Sequence, residues 1–177
     1  MIAVWFSCGA PSACALKLTV EQYGAENVRA LNNPIAEEDP DNRRFAKDVA
    51  DWCGIEIEEV RSPKYPDASA KTVWQKRKAM AFPKGAPCTH HLKKEARQEW
   101  ERHNDAFCHV FGFTLEEQAR HDRFVLTERD NVLPILIDAG MTRDMCFDMV
   151  RSAGIRLPRR VSFSANSCSI IETVGVP

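Results

Sequence analysis

Two stretches of this 177-residue chain bring together residue types that could do chemistry. The first is Ser7-Cys8-Gly9-Ala10-Pro11-Ser12, set between an apolar run, Ile2–Phe6, and a small-residue stretch at 13–22. A strand that turns through small residues into a helix presents backbone N–H groups and the helix N-terminus to an anion, so it can hold a phosphate. Gly9 allows close approach of the backbone, and Ser7 and Ser12 could donate hydroxyls. The same residues serve equally as a plain strand–helix turn. The second stretch is Gly85-Ala86-Pro87-Cys88-Thr89-His90-His91-Leu92-Lys93-Lys94. Cys88 stands at or just before a helix start, where the helix dipole and nearby Lys93 and Lys94 would favour the thiolate, the reactive form. On α-helical spacing His90, Lys93, Lys94 and Arg97 share one face, and Leu92, Ala96 and Trp100 another. A thiol beside a basic face suits a phosphorylated substrate; the plain alternative is a small residue at a helix start beside two solvated histidines. No metal site is expected, because Cys88, His90 and His91 do not match paired-ligand spacings and adjacent residues rarely point at one ion.

Further candidates follow an apolar run at 107–113. Thr114 could cap the next helix, with Glu117 completing a capping box, and Arg120 could reach a phosphate, whereas His121 and Arg123 read as solvated. Strands are expected at 2–6, 27–32, 55–60, 107–113 and 132–137. Helices are expected at 13–22, 41–53, 69–80, 89–103, 115–127 and 142–153. Such alternation argues for an α/β fold, a doubly wound, mainly parallel sheet with helices on both faces. Ligands of such sheets bind at the carboxyl ends of the strands. Ser7–Ser12, Asn32-Asn33 and Phe113-Thr114 all follow strands and would meet there.

Composition sets the bounds. Hydrophobic residues make up 44% and charged residues 28%, as in a globular protein without membrane segments. No apolar run approaches the ~20 residues a bilayer span needs, and the apolar start is too short and wrongly flanked for a secretory signal. Seven cysteines, an odd count at irregular spacings, read as free thiols or ligands in the cytoplasm, not as a disulfide framework. The net charge of −1 conceals an acidic segment at 37–60 and a basic one at 61–97, the latter with ten basic and two acidic residues. The basic segment would attract phosphates or nucleic acid, or form a solvated face. Residues 1–160 read as one domain; 161–177 form a Ser-rich tail without a packing pattern.

Taken together, the chain resembles the phosphoadenosine phosphosulfate reductase-like proteins of phages and prophages, in the PP-loop (adenine nucleotide alpha-hydrolase-like) superfamily. The residues that carry the resemblance are Val4-Trp5-Phe6-Ser7-Cys8-Gly9-Ala10 with Ser12, Asn32-Asn33-Pro34, Pro40-Asp41-Asn42-Arg43-Arg44-Phe45 and Pro63-Lys64-Tyr65-Pro66. They continue through Gly85-Ala86-Pro87-Cys88-Thr89, Leu92-Lys93-Lys94-Glu95-Ala96-Arg97, Val110-Phe111-Gly112-Phe113, Phe124-Val125-Leu126-Thr127-Glu128-Arg129 and Gly154-Ile155-Arg156-Leu157-Pro158. The resemblance implies that ATP or a related adenine nucleotide binds, with Ser7, Cys8, Gly9, Ala10 and Ser12 at its phosphates. Asn32 and Asn33 would lie near the adenosine, and magnesium could accompany it. It also implies activation of, or sulfur transfer to, a second substrate, with Cys88 as nucleophile, sulfur carrier or cluster ligand and Lys93 neutralising charge. The chain departs from the superfamily loop S-G-G-x-D-S at two points: Cys8 replaces a glycine and Pro11 the acidic residue. Only Cys168 stands where the group has a cysteine pair, as a truncation or shifted reading frame would produce, and this leaves an iron–sulfur cluster doubtful. A non-catalytic nucleotide- or nucleic-acid-binding module and, more weakly, a thiol redox protein centred on Cys88 remain as alternatives.

Overall fold

Strand β1 (Ile2–Phe6) is buried at every position, as the central strand of a sheet covered on both faces must be. Its side chains alternate. Ile2, Val4 and Phe6 enter a cluster with Ala13, Leu16, Phe45, Val49 and Val150 on one face. Ala3 and Trp5 pack with Leu31 and Val60, against Trp100 and Phe111, on the other. The computed structural model describes residues 1–78 and 86–159. Gly85, the end of the helix expected at 69–80, Cys168 and the 161–177 tail therefore lie outside the described residues.

The protein is an α/β fold built on a five-stranded, all-parallel sheet in the order β3-β2-β1-β4-β5, doubly wound and Rossmann-like. β1 is followed by α1 (Ala10–Tyr23), β2 (Val28–Asn32), α2 (Asp41–Cys53), β3 (Ile57–Glu59) and α3 (Ala70–Arg77). A π-helical turn (Thr89–Lys94) then runs into α4 (Glu95–Glu101), and β4 (Cys108–Val110) follows. A short 3-10 turn leads to α5 (Gln118–Thr127), then β5 (Val132–Leu133), α6 (Ile135–Asp138) and α7 (Arg143–Ser152). The strand order reverses between β1 and β4, which makes the loops leaving these two strands the walls of the switch-point crevice.

Several expected boundaries shift for local reasons. α1 begins at Ala10, not at residue 13, because Gly9 supplies the N-cap and Pro11 sits in the first turn, where its missing N–H costs nothing. The expected strand at 132–137 ends at Leu133: Pro134 breaks the ladder and Ile135–Asp138 is helical. Residues 111–113 leave the sheet after Val110, and Gly112 lies against the first turn of α1. No helix among the described residues is long and apolar enough to cross a membrane.

Candidate functional site

The β1–α1 loop is tied internally by one hydroxyl. Ser12, almost fully buried, accepts hydrogen bonds at Oγ from the Ser7 N–H (3.1 Å), the Ser7 hydroxyl (3.2 Å) and the Gly9 N–H (3.3 Å). It donates its own proton to the Gly9 carbonyl at 2.9 Å. Ser12 therefore shapes the loop, and Ser7 is the exposed hydroxyl. Cys8 has φ of +55°, a left-handed conformation that glycine adopts freely and other residues adopt under strain. The glycine that the resemblance leads one to expect at this position has a backbone reason. Burial, with the charge of Glu38, pushes the Cys8 thiol up to about 12, so it stays protonated. Asn32 donates to the Phe6 carbonyl at 2.8 Å and lies 3.5 Å from Cys8 Sγ, fixing the end of β1. Asn33 donates to the Val60 carbonyl at 2.9 Å.

Opposite this loop, Gly112 lets the chain leaving β4 pass directly over the first turn of α1. A Cβ there would stand 2.7 Å from Ser12 N and 2.9 Å from the Pro11 carbonyl carbon. The two loops, the π-turn and α5 enclose a crevice of about 680 Å³, within the ~300–1,000 Å³ range of ligand sites. Its walls include Ser7, Ser12, Asn33, Lys93, Phe113 and Arg120 among the expected site residues, and Lys94, Arg97, Arg123 and Arg143 besides. On the far side of the loop, Cys8, Gly9 and Ala10 line a second cavity of about 640 Å³, and Arg143 and Pro11 border both.

The crevice is cationic. Six basic side chains (Lys93, Lys94, Arg97, Arg120, Arg123, Arg143) face two carboxylates, Glu117 and Glu128. Lys93 reaches Glu38 at 3.3 Å, Lys94 reaches Glu128 at 3.2 Å and Arg120 reaches Glu117 at 2.6 Å. Arg123 and Arg143 form no ion pair through their side chains among the described residues. Arg97 is the most confined of the set. Its guanidinium lies over the rings of Phe111 and Phe124, at 5.1 and 5.6 Å. Its Nε is buried without a hydrogen-bond partner. Burial and the charge of Arg129 both lower its pKa; the carboxylates Glu101 and Glu128 oppose them. The guanidinium is paired on two sides, with Glu101 at 3.8 Å from Nε and Glu128 at 3.3 Å from the terminal nitrogen.

Other expected residues lie elsewhere. Thr114 is fully buried and makes no side-chain cap; its carbonyl accepts from the Glu117 N–H at 2.8 Å. No capping box forms, and Glu116 instead accepts from the Arg143 N–H at 3.1 Å, anchoring the start of α7. Cys88 is half-buried beside the Tyr65, Ala70, Val73 and Leu92 cluster and does not line the crevice. The basic face predicted for 90–97 is divided by the π-turn. Lys93, Lys94 and Arg97 face the crevice, whereas His90 and His91 turn to Glu95, at 3.4 and 2.9 Å. Burial alone would raise the Glu95 carboxyl, but the His91 hydrogen bond and the charges of His91, Lys64 and His90 bring it below its ordinary value. His121, expected in solvent, is buried edge-on to Phe113. Arg123, expected in solvent, is exposed and also borders the crevice; Arg143 lies in no motif, and only the strand order brings α7 and α5 to the same crevice.

Compared with known proteins, the chain matches no protein-family model and no curated protein.

Proposed function

We propose that the switch-point crevice binds an adenine nucleotide through its phosphates, and that the protein uses it to activate, or transfer sulfur to, a second substrate. The observation that carries the phosphate half is the convergence of the β1–α1 loop with six cations on one crevice that holds two carboxylates. Preorganised cations of this kind stabilise charge that develops on a transferring phosphoryl or adenylyl group. The adenine base and the sulfur chemistry rest on the sequence resemblance, and a role for Cys88 requires a second substrate that approaches from outside the crevice. A nucleic acid would find Lys71, Lys76, Arg77 and Lys78 on and just after α3, none of which forms an ion pair among the described residues. The cytoplasm is the compartment in which the described cysteines would stay free.

A second reading, nucleotide binding without turnover, is favoured by a specific feature. Pro11 stands where the superfamily loop has its acid, and both carboxylates of the crevice are engaged by Arg120, Lys94 and Arg97. The residues present do not fit a magnesium ion, which needs free carboxylate oxygens. Titration calorimetry with ATP, AMP and adenosine phosphosulfate, each with and without magnesium and followed by a pyrophosphate assay, separates the readings. Binding with pyrophosphate release supports the enzyme. Binding alone supports the module, and no binding of any of the three refutes both.

A further inference from the structure

The geometry points to a divalent transition-metal site of the zinc class on the outer side of the π-turn, formed by His90, His91 and Glu95. One ligand atom from each of these residues lies within 4.8 Å of the other two. His90 Nε2 stands 3.4 Å from Glu95 Oε1, and His91 Nδ1 stands 2.9 Å from Glu95 Oε2. Around a tetrahedral ion with bonds of ~2.0–2.1 Å, neighbouring ligand atoms are separated by about 3.3 Å; both imidazole–carboxylate separations are close to this, and the three ligand atoms need draw together only from within 4.8 Å.

The π-turn makes this possible. In an α-helix residues five apart diverge, and two adjacent histidines point in different directions. Here the Glu95 N–H bonds the His90 carbonyl across the wider turn, and both imidazoles converge on one carboxylate. Irregular turns of this kind concentrate at functional sites. Two imidazoles and a carboxylate suit zinc, nickel or copper ahead of magnesium or calcium, and three protein ligands leave a position open for water. Lys64, whose side chain is 73% exposed, lies 3.6 Å from the same carboxylate. It is free to swing into solvent when a cation takes its place. Because the same turn presents Lys93 and Lys94 to the crevice, an ion here would clamp the element that holds them.

The test is titration of the chelator-treated full chain with cobalt(II), read by visible absorption, followed by displacement with zinc. One cobalt per chain is expected, with bands of a nitrogen–oxygen ligand set and no thiolate charge transfer. His90→Gln, at a half-exposed side chain, should keep the native circular dichroism and bind at least ~10-fold more weakly, with Glu95→Gln behaving alike. Lys64→Met should bind at least as tightly as the wild type. No cobalt binding, thiolate charge transfer, or unchanged affinity in His90→Gln would each overturn the site.

Discussion

Ser12 has two tasks that a mutation would separate poorly but a pair of measurements would not. Its hydroxyl satisfies the Ser7 and Gly9 N–H groups in a buried position, and leaving such donors unpaired costs about 1–3 kcal/mol. Ser12→Ala should therefore lower the urea unfolding midpoint by an amount equivalent to about 2 kcal/mol. It should also weaken ATP binding, because the loop that frames the crevice loosens. Wild-type stability in Ser12→Ala would show that the hydroxyl network is not what holds the loop. That Ser7–Ser12 forms a tight turn between β1 and α1 was legible in the sequence, because small residues stand between an apolar run and a helix. The division of labour was not: which serine points inward depends on where α1 begins. Pro11, in the first turn of that helix, shifted the start by three residues.

Between elements, the chain leaving β4 passes close over the first turn of α1 at Gly112. Gly112→Ala would place a Cβ against the backbone at Ser12 and Pro11, which cannot yield as a flexible side chain would. The loops must part, at a cost of about 1–3 kcal/mol, and nucleotide affinity should fall with stability; unchanged unfolding and binding would mean that the crevice walls are not set by this contact. On β4 itself, His109 accepts a hydrogen bond at Nδ1 from Trp5 Nε1 at 3.1 Å. Burial, with the charges of Arg129 and Arg97, holds its pKa down to about 4. The unfolded chain takes up this proton below the ordinary 6.5 and the folded chain only near 4, so the unfolded state binds more protons in between and stability decreases as the pH is lowered through that window. Urea midpoints at pH 7.5 and pH 5 should show the fall, and His109→Phe, less stable at pH 7.5 with Trp5 unpartnered, should show a smaller one. An equal fall in both proteins would assign the pH dependence to other groups. The sequence marked β1 and α2 at their observed limits, since an unbroken apolar run and a clean i, i+4, i+7 pattern leave little choice. It could not show the π-turn, because a helix with one wider turn keeps its apolar periodicity on either side of it.

At the scale of the molecule, the order β3-β2-β1-β4-β5 makes one crevice from residues more than a hundred positions apart in the chain, such as Ser7 and Arg143. Alternating strands and helices made the α/β class legible, and with it the strand ends as the place to look. Strand order is set by crossovers that no local pattern encodes, so the contribution of α7 stayed hidden. The charge asymmetry of the sequence is partly consumed in folding. Glu38 and Glu59 of the acidic segment pair with Lys93 and Arg61 of the basic one. At the crevice, four of the six cations are paired with carboxylates, and Arg123 and Arg143 remain without an ion pair among the described residues. Arg143 is the sharpest probe of it, since its guanidinium forms no ion pair among the described residues and its removal takes from Glu116 only one of several influences that hold that carboxyl below its ordinary value. The most direct measurement is calorimetric titration of ATP into the wild type and Arg143→Ala under one set of conditions. Saturable one-site binding by the wild type, weakened ~10–100-fold in the variant by loss of a charge-assisted contact of ~1.5–3 kcal/mol, is the predicted result. An absence of ATP binding, or equal affinity in the two proteins, would contradict a phosphate site at the switch point.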